Sequence, residues 1–293
     1  MTLLWPAVDP QLLAAATAAA SAAASAVLVL ILAARPWRGR GQATQPFGAP
    51  LALALGTAVG FWMTRGRPSF PPNQAVHWLF YAALVGGAYG AIEGAWRERT
   101  SLPRGGLSVL LPVLMLAFQR EHNWGRVEGI LWTAGLALLL FTAWNALATL
   151  EQRALGGGAT AVGLALATAL TAGCCGFAGG ALLAQLVGAL ALSIGACALL
   201  GLWRRAPGLG AGGVAPYALL HYGLVWAARW AYELSSAGFV LLLLAPLAAL
   251  SAALVPAARA RTRAACALLG PTLCAAAALL LESRAAPAAY PYH

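Results

Sequence analysis

The residues able to do chemistry in this chain are few and fall in three places. The segment from 77 to 96, HWLFYAALVGGAYGAIEGAW, holds His77 and Tyr81 four apart, then Tyr89 and Glu93 four apart. On a helix, residues spaced by four stand above one another, so each pair shares a face. Glu93 also precedes Arg97 by four, the favourable order for a helical ion pair. The segment from 217 to 233, YALLHYGLVWAARWAYE, holds His221, and it places Tyr222, Trp226, Arg229 and Glu233 along one helical stripe, with Arg229 and Glu233 in pairing range. The third place, FQREHNWGRVEG from 118 to 129, is the most polar stretch of the chain and brings Arg120, Glu121, His122 and Arg126 together. Arginine forks match phosphate or headgroup oxygens, and a Glu or His can move a proton, so this third set is a candidate outer anion site.

The first two sets gain their meaning from what surrounds them. Of the 293 residues, 61% are hydrophobic and only 9% are charged, with mean hydropathy +0.77. A soluble domain carries about 25% charged residues. The deficit identifies an all-α, polytopic integral membrane protein. An ionisable group inside a span costs about 2.5 to 3.5 kcal/mol on insertion scales and requires a partner, a wet cavity or an escape to the interface.

Apolar runs divided by Gly, Pro and Arg place spans at 11–34, 48–64, 75–96, 105–118, 127–150, 159–176, 179–202, 214–234, 237–255 and 264–282. About ten transmembrane helices are expected, or eight to nine if short neighbours merge. Ten spans exhaust 293 residues, so residues 1–293 form a single transmembrane domain with no room for a soluble one. All eighteen basic residues are Arg. With the N-terminus outside, twelve fall in inner loops (Arg35, Arg38, Arg40, Arg97, Arg99, Arg104, Arg153, Arg204, Arg205, Arg259, Arg261, Arg263). Five fall outside (Arg65, Arg67, Arg120, Arg126, Arg284), which favours an inner-membrane chain with both termini on the non-cytoplasmic side. The first apolar run has its basic flank after it rather than before it, unlike a cleaved signal peptide.

Ten spans divide into halves 1–153 and 154–293, and five per half forces the halves into opposite orientations, the arrangement of inverted-repeat transporters. The third span of each half begins near a His-aromatic pair (His77-Trp78, His221-Tyr222) and ends near a Glu, and the fourth of each half carries a proline, Pro112 or Pro246. Gly86, Gly90 and Gly94 form a smooth ridge on the third span, and Gly56 with Gly60 one on the second, both suited to close helix packing.

Several function classes are excluded. Without Lys there is no Schiff base and no P-loop, hence no ATP motor within the chain. The dispersed Arg residues serve orientation, so no nucleic acid is expected as a partner. The five cysteines lie in apolar runs with no C-x-x-C and no His at ligand spacing, so neither a metal nor another cofactor is expected. The leading expectation is a secondary permease of a small solute, using His77, Tyr81, Tyr89, Glu93, His221, Tyr222, Arg229 and Glu233. The alternatives are a membrane-embedded transferase or hydrolase acting on a lipid-linked anionic substrate through the outer set, and a non-catalytic subunit of a membrane assembly. Partners are accordingly the lipid bilayer, a small-molecule or headgroup substrate, or partner subunits.

Overall fold

Backbone polar groups in hydrocarbon must be satisfied within the chain, and the described residues meet that demand with helices alone. A computed structural model describes residues 10–34, 47–72, 74–95, 101–153, 158–204, 208–256 and 258–285. Its helices are α1 (Pro10–Ala34), α2 (Gly48–Arg65), α3 (Ala75–Ala95), α4 (Ser101–Met115), α5 (Ala117–His122) and α6 (Arg126–Gln152). After them come α7 (Gly158–Phe177), α8 (Ala181–Arg204), α9 (Gly210–Ala231), α10 (Ser236–Ala248), a 3₁₀ turn (Ala249–Leu254) and α11 (Ala260–Ala285). Each apolar run read from the sequence coincides with a helix to within a few residues. Six stretches are long and apolar enough to cross a membrane: Ala75–Gly94, Arg126–Gln152, Gly158–Phe177, Ala181–Trp203, Ser236–Leu254 and Ala260–Ala285. The chain is a helical membrane protein.

One boundary differs in a way that matters. α4 begins at Ser101 rather than 105, because Pro103 fits the first turn, where its missing N–H is an orphan anyway. Arg104 therefore lies in the helix and not in a loop.

Helix α9 sits at the centre. Every residue from Gly212 to Ala228 is buried, among them Tyr217, Tyr222 and Trp226 at 0% exposure. Around it pack α2, α3, α4, α6, α8 and α10. The glycine ridge of α3 faces α9: a Cβ on Gly86 would meet Pro216, and one on Gly90 would meet the Gly212 carbonyl. The third and eighth expected spans thus touch backbone to backbone. The α2 ridge, Gly56 and Gly60, admits Ala22 of α1 with Ser193 and Ala189 of α8.

Prolines inside helices are paired with particular neighbours. A proline lacks the N–H that would bond the carbonyl four residues back, and in a membrane that carbonyl must find other company. Pro216 frees Gly212, which lies against Gly90. Pro271 frees Ala267, whose carbonyl a Cβ on Gly163 of α7 would meet. Pro246 frees Leu242, whose carbonyl takes a hydrogen bond from His221 at 3.1 Å.

α1 lies on α2 as α7 lies on α8, whereas the extensive contact of α11 with α7 has no comparable counterpart between α6 and α1 among the described residues.

Candidate functional site

A buried polar cluster lies where the end of α3 meets the start of α4 and the last turns of α6. Glu93 is 3% exposed and Arg104 is 6% exposed. Arg104 Nη2 donates to Glu93 Oε1, and its Nη1 donates to Asn145 Oδ1. It is the single ion pair among the described residues. Asn145 is held by its own amide, which donates to the Phe141 carbonyl at 2.7 Å. The indole of Trp144, fully buried, stands beside the Glu93 carboxylate without a hydrogen bond of ordinary geometry, and Tyr89 packs edge-on against it at 5.6 Å. Arg97 lies outside the described residues, and Glu93 is paired without it.

The cluster is incompletely satisfied. Glu93 Oε2, Arg104 Nε, Trp144 Nε1 and Ser108 Oγ are buried without hydrogen-bond partners. Most buried polar atoms in folded proteins are bonded, so four exceptions around one ion pair are a departure that asks for a reason.

The remaining residues of the expected intramembrane site are spent elsewhere. His77 shares a 2.8 Å hydrogen bond with the Ser69 hydroxyl, and Tyr81 donates to the Ser69 carbonyl at 3.1 Å, so together they pin the loop ahead of α3. His221 and Tyr222 tie α9 to α10 through the Leu242 and Leu243 carbonyls. A carbonyl only accepts, so His221 Nε2 carries the proton, and Nδ1 is left buried and unpartnered. Arg229 donates to the Leu234 carbonyl at 2.9 Å and to Ser236, not to Glu233. Glu233 lies past the end of α9 in a left-handed conformation (φ 58°) and is exposed, because the helix stops at Ala231 before the expected stripe is complete. Trp226 is core rather than an interfacial anchor. Trp230 instead joins Trp124 and Trp132 in an edge-to-face cluster at 5.4 and 5.6 Å.

The outer set does not converge. Arg120 turns back to cap the Val113 carbonyl at 3.2 Å, where the break between α4 and α5 exposes a helix C-terminus. Glu121 and Arg126 are exposed, and His122 lies exposed on Phe118, its Nδ1 3.1 Å from that residue's carbonyl oxygen. The five cysteines are free.

Three buried charges escaped the sequence reading: Arg104, Glu151 and Glu282. Arg104 is missed because the fourth expected span begins at 105, one residue past it, whereas α4 begins at Ser101. Glu151 and Glu282 each lie at the end of their own helix, where the dipole disfavours a carboxylate. Each serves another helix: Glu151 accepts from Gly210 N at 2.9 Å at the start of α9, and Glu282 accepts from Ser235 N at 3.2 Å and from the Ser235 hydroxyl at the start of α10. A small apolar cavity lined by Thr57, Phe61, Leu79, Phe80, Leu186, Leu220 and Leu224 separates α2, α3, α8 and α9. The chain matches no protein-family model, and no curated protein or solved structure is similar to it.

Proposed function

We propose that the chain is a secondary permease for a small solute, with ten crossings, both termini on the non-cytoplasmic side of the inner membrane, and Glu93, Arg104, Asn145 and Trp144 as its polar centre. The observation that carries this reading is an ion pair buried inside the helical bundle with an unspent acceptor on Glu93 and an unspent donor on Arg104. Glu93 is the penultimate residue of its apolar stretch and Arg104 stands in the first turn of α4, so the pair sits at one end of the bundle, and a buried ionisable pair there is a candidate for a solute or ion pathway. The cluster adjoins the α3–α9 seam, where glycines let two backbones meet and a rocking motion would require few side chains to move. Helices α1, α2, α4 and α9 complete the ten crossings together with the six apolar stretches. α9 is buried along its length and so has little need of a lipid-compatible surface.

The enzyme alternative draws nothing from the geometry, since Glu121, His122 and Arg126 point apart into solvent.

The test is current measurement on supported membranes carrying proteoliposomes, challenged in turn with organic cations, organic anions, amino acids and sugars. At least one class is expected to drive transient currents in the wild type that vanish in Glu93→Gln and in Arg104→Met. Silence with every class would overturn the reading, as would currents unchanged in both variants.

A further inference from the structure

We infer that Glu93 Oε2 is the proton-binding site of the permease, and that its protonation releases Arg104 and so uncouples α4 from α3. The inference rests on the permease reading and adds the coupling ion.

Three acids are buried among the described residues, and their surroundings differ. Glu151 and Glu282 accept from the N-termini of other helices, a fixed structural role. Glu93 alone of the three keeps an oxygen that is both buried and unpartnered. A lone pair left free in a water-poor interior is a place for a proton. A metal cation would need several oxygens, and here the guanidinium already occupies the other side of the carboxylate.

The hydrogen bonds around Arg104 suit a switch. Its guanidinium divides its donors between Glu93 and the neutral amide of Asn145, so it retains one acceptor when the carboxylate becomes a carboxylic acid. That proton is delivered by a hydronium ion of the bulk solution, which leaves as water while a new O–H bond forms at Oε2. The site then carries one uncompensated positive charge, which hydrocarbon does not tolerate. Arg104 stands in the first turn of α4 and is long enough to reach the headgroups from there. α3 and α4 pack sparingly, so the ion pair is a large share of what joins them.

Among the described residues, one other buried carboxylate comes near this level: Glu151 of α6, which accepts from Gly210 N, two residues before the Gly212 that lies against Gly90 and Gly94. α2 presents Pro50 and Ala54, and α9 presents Gly212; the titratable groups of α9, Tyr217, His221, Tyr222 and Arg229, lie further along that helix. On α3 itself the neighbour is Tyr89, with His77 and Tyr81 at its far end, and α6 contributes Trp144 and Asn145, which do not titrate.

The experiment is infrared difference spectroscopy of the full chain in lipid nanodiscs, between about pH 5 and about pH 9. A carbonyl band of a protonated, buried carboxylic acid is expected in the double variant Glu151→Gln with Glu282→Gln, where Glu93 is the one buried carboxylate left among the described residues, and is lost when Glu93→Gln is added. Should the chain with Glu93→Gln added fail to fold, adding Arg104→Met as well leaves no lone charge and serves the same comparison. No band in the double variant, or a band that survives Glu93→Gln with and without Arg104→Met, overturns the inference. Solute currents without the band would sink the proton site and leave the permease standing; the band without currents would do the reverse.

Discussion

Replacing Arg104 with Met keeps the length and apolar stem of the side chain and removes its charge. The Glu93 carboxylate, 3% exposed, then has no cation, and Asn145 Oδ1 has no donor. Breaking a buried ion pair from one side costs about 3 to 5 kcal/mol, because the survivor is an uncompensated charge. Glu93 can escape part of that by taking up a proton, and membrane hydrogen bonds average only about 0.6 kcal/mol, which argues for the lower end. The expected loss is about 3 kcal/mol, more than a hundredfold in the folding equilibrium at about 1.4 kcal/mol per decade. Changing both residues, Glu93→Leu with Arg104→Met, removes the stranded charge and should return to within about 1 kcal/mol of wild type. Reversible unfolding in mixed lipid–detergent micelles measures all four corners of the cycle. Arg120→Met, which removes only a partly exposed cap on the Val113 carbonyl, is the control and should stay within about 0.5 kcal/mol. A coupling energy below about 0.5 kcal/mol between Glu93 and Arg104 would refute the reasoning, since contacting residues in one network couple more strongly than that.

Gly90→Ala is expected to cost about 1 to 3 kcal/mol, because its Cβ lands on the backbone carbonyl of Gly212, which cannot rotate aside; Gly135→Ala on α6, where a Cβ meets open space, should be neutral or better by thermal melting. His221→Leu strands the Leu242 carbonyl and should cost about 1 to 2 kcal/mol, but in a Pro246→Ala background residue 246 supplies its own N–H, and the loss should largely vanish in the same unfolding assay. Glu282→Ala removes the acceptor at the start of α10 and is expected to cost about 1 kcal/mol and to raise hydrogen exchange at Ser235 and Gly238; unchanged exchange there would contradict the cap. Cys174, Cys175 and Cys197 should resist maleimide in the folded protein and react on unfolding, which mass spectrometry reads directly.

Helix positions were legible because apolar runs bounded by Gly, Pro and Arg leave little freedom, and the glycine ridge of α3 met a partner as its four-residue spacing foretold. Glu93 was legible too, as a carboxylate in an apolar run. Its partner was not. The sequence offers Arg97 by helical spacing, whereas Arg104 reaches it from the next helix, a contact that depends on where α4 begins. The same limit applies to Glu233: a stripe drawn through 222, 226, 229 and 233 assumes the helix continues, and it ends at Ala231. His221 and Tyr222 read as site residues because polar groups in a span demand partners. His221 finds the Leu242 carbonyl, freed by a proline twenty-five residues away, and Tyr222 the neighbouring Leu243 carbonyl, and no side-chain pattern records either.

The central helix shows how burial within the bundle relaxes the demand for hydropathy. α11 meets lipid with Leu269, Leu273 and Leu280 exposed and is strongly apolar, whereas α9 meets protein on every side and can hold Gly212, Pro216, Tyr217, His221 and Arg229. A helix surrounded by helices is free to use small and polar residues, since its environment is a set of chosen neighbours and not hydrocarbon. That freedom lets Gly212 meet Gly90, lets a proline sit in the middle of a span, and lets a histidine satisfy the carbonyl that another proline released. It also bears on mechanism. The contacts that fix α9 to α10 include directional hydrogen bonds, while those that fix it to α3 are close glycine contacts in which Leu219 seats at Gly86 and Leu79 at Gly223. If the bundle moves as two bodies, α10 travels with α9, and any shift of α3 has to unseat Leu219 from Gly86 and Leu79 from Gly223.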